Sequence, residues 1–194
     1  KVALFMNEPV ASESCANGIM EALKGYRFQI FSRKTISNID FSTTDLVAFP
    51  GGYGDADLFN RLVKPQAHII TDYMNNGGRF LGICMGAYWA GSYYFDILDS
   101  VDAVQYYKQP TADTRRPHTK NISIVWNGQE DKMFFNDGCA LIGDNTKFET
   151  IATYANGDPM AIIQNNLGLI GCHPESELFW YESYKQMRGQ YHNG

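Results

Sequence analysis

Short apolar runs alternating with helical periods are the feature that most constrains what this chain can fold into. Val2 to Met6 reads as a buried strand, and Ala16, Ile19, Met20 and Leu23 then recur at the spacing of one helix face, which Gly25 can end. Arg27 to Phe31 returns as a strand. Leu46 to Phe49 is a third, stopped by Pro50, Gly51 and Gly52; Ala67, Ile70 and Met74 mark a helix closed by Asn75 to Gly78, and Arg79 to Ile83 is the next strand. This order predicts an α/β fold with a mostly parallel sheet, because parallel neighbours need a crossover and a helix is the usual one. The second half is richer in strand signals and Gly/Asn turns. Ile122 to Trp126, Lys132 to Phe135, Ile151 to Tyr154, Met160 to Gln164 and Leu167 to Gly171 predict a β-rich extension that joins the sheet. Ser176 to Met187, with four aromatic residues, reads as a closing helix.

At 194 residues the chain is sized for one domain, 1–194. With 44% hydrophobic, 14% aromatic and 19% charged residues, it has ample material for a core. A net charge of −5 argues against nucleic acid as a partner, since that affinity comes from Lys and Arg displacing counterions. No run approaches the roughly 20 apolar residues of a membrane helix, so a soluble protein is expected, in the cytoplasm by preference. The first residue is Lys1, which leaves room for a removed leader. Four widely spaced cysteines, without a CxxC pair, fit neither a disulfide scaffold nor a zinc finger. The oligomeric state is not readable.

The sharpest local signal is Gly82-Ile83-Cys84-Met85-Gly86, at the end of a strand and the start of a helix, which is the cysteine form of a nucleophile elbow. A sharp strand-to-helix turn brings backbones together, so small residues are needed on both sides. A thiol there faces the positive end of a helix, and the N–H of Met85 is placed to bind an oxyanion. A buried apolar Cys packed beside glycines would give the same pattern. The second signal is Gly171-Cys172-His173-Pro174-Glu175. Residues two apart in extended chain share a side, and Pro174 biases His173 toward that geometry, so Glu175 can support the imidazole. A Cys84-His173-Glu175 triad becomes possible, with His173 taking the thiol proton and Glu175 fixing its tautomer. The third signal is Pro50-Gly51-Gly52-Tyr53-Gly54 after an apolar strand, where glycines let the backbone approach a ligand closely; an ordinary turn is the alternative. All three follow strands, and ligands of open α/β sheets bind outside the carboxyl ends of the strands.

With those residues in hand, FPGG, GICMGAYWAG and GCHPES resemble the class I glutamine amidotransferase superfamily. GICMGAY with FNDGCALIG resembles its branch homologous to the N-terminal domain of eukaryotic biotin-protein ligases. The resemblance spans nearly the whole chain. It implies a flavodoxin-like three-layer sandwich, nucleophile Cys84, base His173, supporting Glu175, and the amides of Gly52 and Met85 as oxyanion hole. It also implies attack of the thiolate on a carboxamide, departure of ammonia and resolution of the thioester by water. Glutamine-using members usually carry a Gln shortly after the elbow, where this chain has Ala87-Tyr88, so a small-molecule or peptide amide is the expected substrate and the departure speaks against free glutamine without naming another. No cofactor is implied. No synthetase or ligase catalytic domain is visible within these residues, and biotinylation is not expected. Two alternatives stand beside this: a binding or regulatory domain that keeps the triad without turnover, and a redox or aldehyde-handling cysteine protein like a sister branch.

Outside the triad, Gly51, Gly52, Tyr53, Met85 and Tyr88 are the candidate oxyanion and substrate contacts, and Trp89 is a further aromatic that could face the pocket. Asp55 and Asp57 could read a substrate amine, although a helix cap is the better reading of Asp55. Glu8 could face the nucleophile or be an exposed turn residue. The basic run Arg115 to Lys120 reads as a solvated loop unless it folds over the rim. Cys172 could join Cys84 and His173 on a metal, but no closed set of four ligands at structural-zinc spacing is present, and no metal is expected.

Overall fold

The computed structural model describes residues 1–7, 13–53 and 55–191. In chain order the elements are β1 (Val2–Phe5), α1 (Glu13–Ala22), β2 (Phe28–Phe31), β3 (Leu46–Phe49), α2 (Ala56–Leu62), α3 (Ala67–Asn75), β4 (Phe80–Ile83) and α4 (Met85–Trp89). There follow β5 (Val101–Gln105), β6 (Lys120–Trp126), β7 (Gln129–Phe135), β8 (Cys139–Gly143), β9 (Glu149–Tyr154), β10 (Pro159–Gln164), β11 (Leu167–Ile170) and α5 (Leu178–Glu182). Short 3₁₀ turns join several of them.

One sheet runs β2-β1-β3-β4-β11-β10-β9-β6-β7, and β5 pairs with β8 in a separate ribbon. β2, β1, β3, β4 and β11 are mutually parallel, and the remaining strands add on antiparallel. The expected β-rich extension is therefore a continuation of the same sheet. Both faces of β1, β3, β4 and β11 are covered, so these strands are apolar throughout and their side chains alternate between two cores, whereas the edge strand β2 carries Gln29 and an exposed Ile30. Val2 and Leu4 of β1 pack with Ala48 against Ala16 and Ile19 of α1. Ala3 and Phe5 pack with Val47 and Phe49 among Phe59 of α2, Ile70 of α3 and Trp89 of α4. Helices on both faces of a largely parallel sheet make this a flavodoxin-like three-layer sandwich.

Phe49 sits at the centre of the second core, with ring centroids 5.0 Å from Phe5, 5.4 Å from Phe80 and 5.1 Å from Phe95. Each such buried ring contributes about 1.5–3 kcal/mol. Trp89 belongs to this cluster, 5.9 Å from Phe49 and fully buried, so it does not face the pocket. The Ser176–Met187 helix is shorter than its aromatic content suggested. α5 covers five residues and a 3₁₀ turn follows at Lys185–Met187. Ser183 Oγ donates to the Phe179 carbonyl at 2.6 Å, a local bond that competes with continuation of the helix.

Candidate functional site

Three strand ends build the site. β3 runs into Gly51 and Gly52, β4 into Cys84, and β11 into Gly171-Cys172-His173. β4 and β11 pair in parallel with Ile83 opposite Ile170, and the Cys84 N–H donates to the Ile170 carbonyl at 2.8 Å, so the thiol and the imidazole leave the same sheet edge together.

Cys84 adopts φ +48°, ψ −102°, a conformation that costs about 1–3 kcal/mol and persists only where the surroundings impose it. Two glycines make the turn possible. A Cβ on Gly86 would lie 2.0 Å from the Phe49 carbonyl oxygen, and one on Gly82 would lie 2.5 Å from that of Gly86. Met85 opens α4, so its N–H has no acceptor within the helix. α4 is only five residues long, which limits the helix-end field at the sulfur to that of about one turn.

His173 stands in extended chain before Pro174, and its N–H donates to the Phe134 carbonyl at 3.0 Å, tying the end of β11 to β7. Its ring lies edge-on to Phe134 at 5.9 Å and to Trp180 of α5 at 5.4 Å. The antiparallel extension and the closing helix thus wall in the imidazole. His173 Nδ1 is 3.0 Å from Glu175 Oε1, the i, i+2 pairing expected from sequence. The thiols of Cys84 and Cys15 both lie within hydrogen-bonding reach of the imidazole. Burial alone would drive the proton off His173. The negative charges of Cys84 and Glu175, aided by the two thiol contacts, overcome that and hold its pKa well above the ordinary histidine value.

Cys84 sits between two cavities. The larger, about 740 Å³, is lined by Gly52, Tyr53, Met85, Tyr88, Asn136 and Asp137 among others. The smaller, about 240 Å³, carries Cys15, Gly52, Tyr53, Asn136, His173 and Trp180. Gly52 and Tyr53 border both, and the Tyr53 ring is 75% exposed. Gly51 backs the imidazole: a Cβ there would lie 2.5 Å from His173 Cε1 and 2.9 Å from Cys15 Sγ. Tyr88 lines the cleft and donates its hydroxyl to the Asp137 carbonyl at 3.1 Å; burial pushes its phenol pKa far up, so it stays a donor. Cys84 Sγ is 3.7 Å from the carbonyl oxygen of Asn136.

Several weaker expectations resolve. Asp55 caps α2, accepting from the Leu58 N–H at 2.8 Å, while also bordering the cleft. Asp57 is exposed and lines neither of these cavities. The basic run divides: Arg115 donates back to the carbonyls of Gln109 and Pro110 at 2.9 and 2.8 Å, whereas Pro117, His118 and Thr119 reach the cleft wall. Cys172, weighed as a partner of Cys84 and His173, instead packs in a further apolar cluster with Tyr106, Phe135 and Tyr154, where its thiol is 3.6 Å from the Tyr154 hydroxyl and burial pushes its pKa up to about 12. Glu8 lies outside the described residues.

The residues that sequence reasoning missed are Cys15, Phe134, Trp180, Asn136 and Asp137. The last two fall within the FNDG segment, quoted for its resemblance but given no role. Cys15 gave no separable signal, since it lies on a helix face otherwise read as core.

No curated protein sequence matches the chain. Solved structures do. A glutamine amidotransferase from Thermotoga maritima superposes with a TM-score of 0.68 at 15% identity, over 95% of this chain and 81% of that one. Another glutamine amidotransferase gives 0.64 at 16% identity, over 90% of each chain. A glutamine amido transferase from Methylobacillus flagellatus gives 0.61 at 12% identity, over 94% of this chain and 72% of that one. Identities this low speak to the fold alone. In sequence, the model of the family described as "Biotin-protein ligase, N terminal" matches residues 7–105, a stretch that contains the glycine loop and the Cys84 elbow and stops short of His173. Matched over half its length, the chain belongs to the biotin-protein ligase N-terminal family, on a glutamine amidotransferase-like fold.

Proposed function

We propose that the chain is a cysteine-dependent amide hydrolase or amidotransferase working through a thioester on Cys84. The observation that carries this reading is the strained Cys84 within reach of an imidazole whose Nδ1 is bonded to Glu175. His173, whose affinity for a proton is raised, takes the proton of the Cys84 thiol, and the sulfur then attacks the carboxamide carbon. The N–H groups of Gly52 and Met85 receive the oxyanion. The tetrahedral intermediate collapses as His173 gives its proton to the departing nitrogen, so ammonia or an amine leaves and the acyl group stays on sulfur. Water, deprotonated by His173, adds to the thioester, the carboxylic acid departs and Cys84 regains its proton. Glu175 keeps the imidazole oriented throughout. The 740 Å³ cleft offers room for an acyl group, with Tyr88 where glutamine-using relatives of the superfamily carry Gln.

The test is ammonia release from a panel of carboxamides by the parent and by Cys84→Ala, with iodoacetamide to follow Cys84. Turnover confined to the parent supports the reading; equal turnover by both overturns it. One observation favours a second reading, a binding domain without turnover: the Tyr88 hydroxyl is already committed to the Asp137 carbonyl. Trapping a Cys84 thioester from any carboxamide would count against it.

A further inference from the structure

We infer that the far side of the triad is a binding site for a thiophilic divalent cation of the zinc class, formed by Cys15, His173 and Glu175. One ligand atom from each of these three buried residues lies within 4.8 Å of the others. They come from separate parts of the chain. Cys15 is on α1, while His173 and Glu175 follow β11, and α1 is held against the latter segment at Gly18, where a Cβ would lie 2.6 Å from the Glu175 carbonyl oxygen.

A second observation points to a ligand. The Glu175 side chain is only 2% exposed, and while Oε1 meets His173 Nδ1, Oε2 is buried with no hydrogen-bond partner among the described residues. Leaving a carboxylate oxygen buried and unsatisfied is costly, and a cation bonded to it would remove that cost. The donors are one sulfur, one imidazole nitrogen and one carboxylate oxygen, a mixture that suits zinc and its neighbours and does not suit calcium or magnesium. Tetrahedral metal bonds of about 2.3 Å to sulfur and about 2.0–2.2 Å to nitrogen and oxygen set ligand atoms roughly 3.3–3.6 Å apart, so the widest separation among these groups, within 4.8 Å, closes by roughly an ångström at most. The 240 Å³ cavity that carries Cys15, Cys84 and His173 gives the cation a way in and leaves room for a fourth ligand.

Ligation by Glu175 and His173 takes away the 3.0 Å contact that orients the imidazole. The cation and the working triad therefore exclude each other. That inhibitory consequence rests on the proposed amide chemistry; the binding itself does not.

The experiment titrates the purified full chain with Co²⁺, reads thiolate-to-metal charge-transfer absorption, and then competes with Zn²⁺. The parent is expected to take up one Co²⁺ per chain with a charge-transfer band that Zn²⁺ abolishes. Cys15→Ala and Cys15→Ser should lose the band, and the isosteric Glu175→Gln should bind more weakly by at least about tenfold, the loss seen when even an outer-shell partner is removed. Circular dichroism verifies that each variant is folded, and Glu175→Gln keeps the test open if neither Cys15 variant is. Absence of a band in the parent, a band that survives loss of Cys15, or unweakened binding by Glu175→Gln overturns the site. Ammonia release is measured separately, so failure of the cation site is distinguishable from failure of the amide chemistry.

Discussion

Adding a single methyl group behind the imidazole should disarm Cys84 without unfolding the protein. In Gly51→Ala the new Cβ would stand 2.5 Å from His173 Cε1 and 3.1 Å from Nδ1. Carbon atoms in contact sit about 3.5–4.0 Å apart, so the ring must retreat by roughly an ångström. It has little room to do so, being 5% exposed and flanked by Phe134 and Trp180. The displacement falls on the Nδ1 edge, where the 3.0 Å contact with Glu175 fixes the ring. A misplacement of about 1 Å in a catalytic group costs on the order of a hundredfold in rate. The same overpacking costs stability only about 1–3 kcal/mol, and a domain of this size loses about 2–4 °C of melting temperature per kcal/mol. The assay is the rate of Cys84 alkylation by iodoacetamide, located by peptide mass mapping, beside a thermal melt. Gly25→Ala is the control, because a Cβ there meets nothing within 4 Å. Gly51→Ala that folds and alkylates at the parent's rate would refute the argument that imidazole placement governs the thiol.

Two further outcomes are expected. Because the folded-state pKa of His173 is raised well above its unfolded value of about 6.5, its proton stabilises the fold in full below about pH 6.5, and that stability is lost as pH rises through the folded pKa. Glu175→Gln removes one of the charges holding the proton, so its denaturation midpoints should fall less steeply than the parent's above pH about 6.5; parallel curves would contradict this. Asp55→Ala removes the cap of α2 and should cost about 1 kcal/mol, read as a lowered melting temperature with Cys84 alkylation unchanged, and an unaltered melt would show that the cap contributes nothing.

The parallel half of the sheet was legible because its strands are short, mostly apolar runs, three of them closed by Asn7, Pro50 and Gly171. β3 begins and ends where the sequence placed it, and β1, β2 and β4 differ by one residue at one end. The proximity of Cys84, His173 and Glu175 was legible for a similar reason, since these residues lie in two short segments with strong local geometry, the elbow and the His-Pro-Glu turn. α2 was anticipated only through the cap at Asp55, because seven residues carry too little periodicity to show its extent, and β5 and β8 were missed because their pairing joins residues far apart in sequence. The walls of the site were hidden for the same reason. Phe134 and Trp180 read as core residues in their own segments, and only the long-range bridge from Phe134 to His173 makes them neighbours of the imidazole.

The glycines around Cys84 also differ in how the chain could ever replace them. At Gly82 and Gly86 the atom in the way is a backbone carbonyl oxygen, which every amino acid possesses, so no substitution elsewhere can make room. At Gly51 the obstacles are side chains, those of His173 and Cys15. A larger residue there has a suppressor available at position 15, where trimming the side chain frees space beside the ring. The elbow is therefore closed to sequence drift in principle, while the loop behind the imidazole is open to it only in concert with α1, and a lineage that took that path would surrender the single sulfur ligand of the proposed cation site along with the glycine.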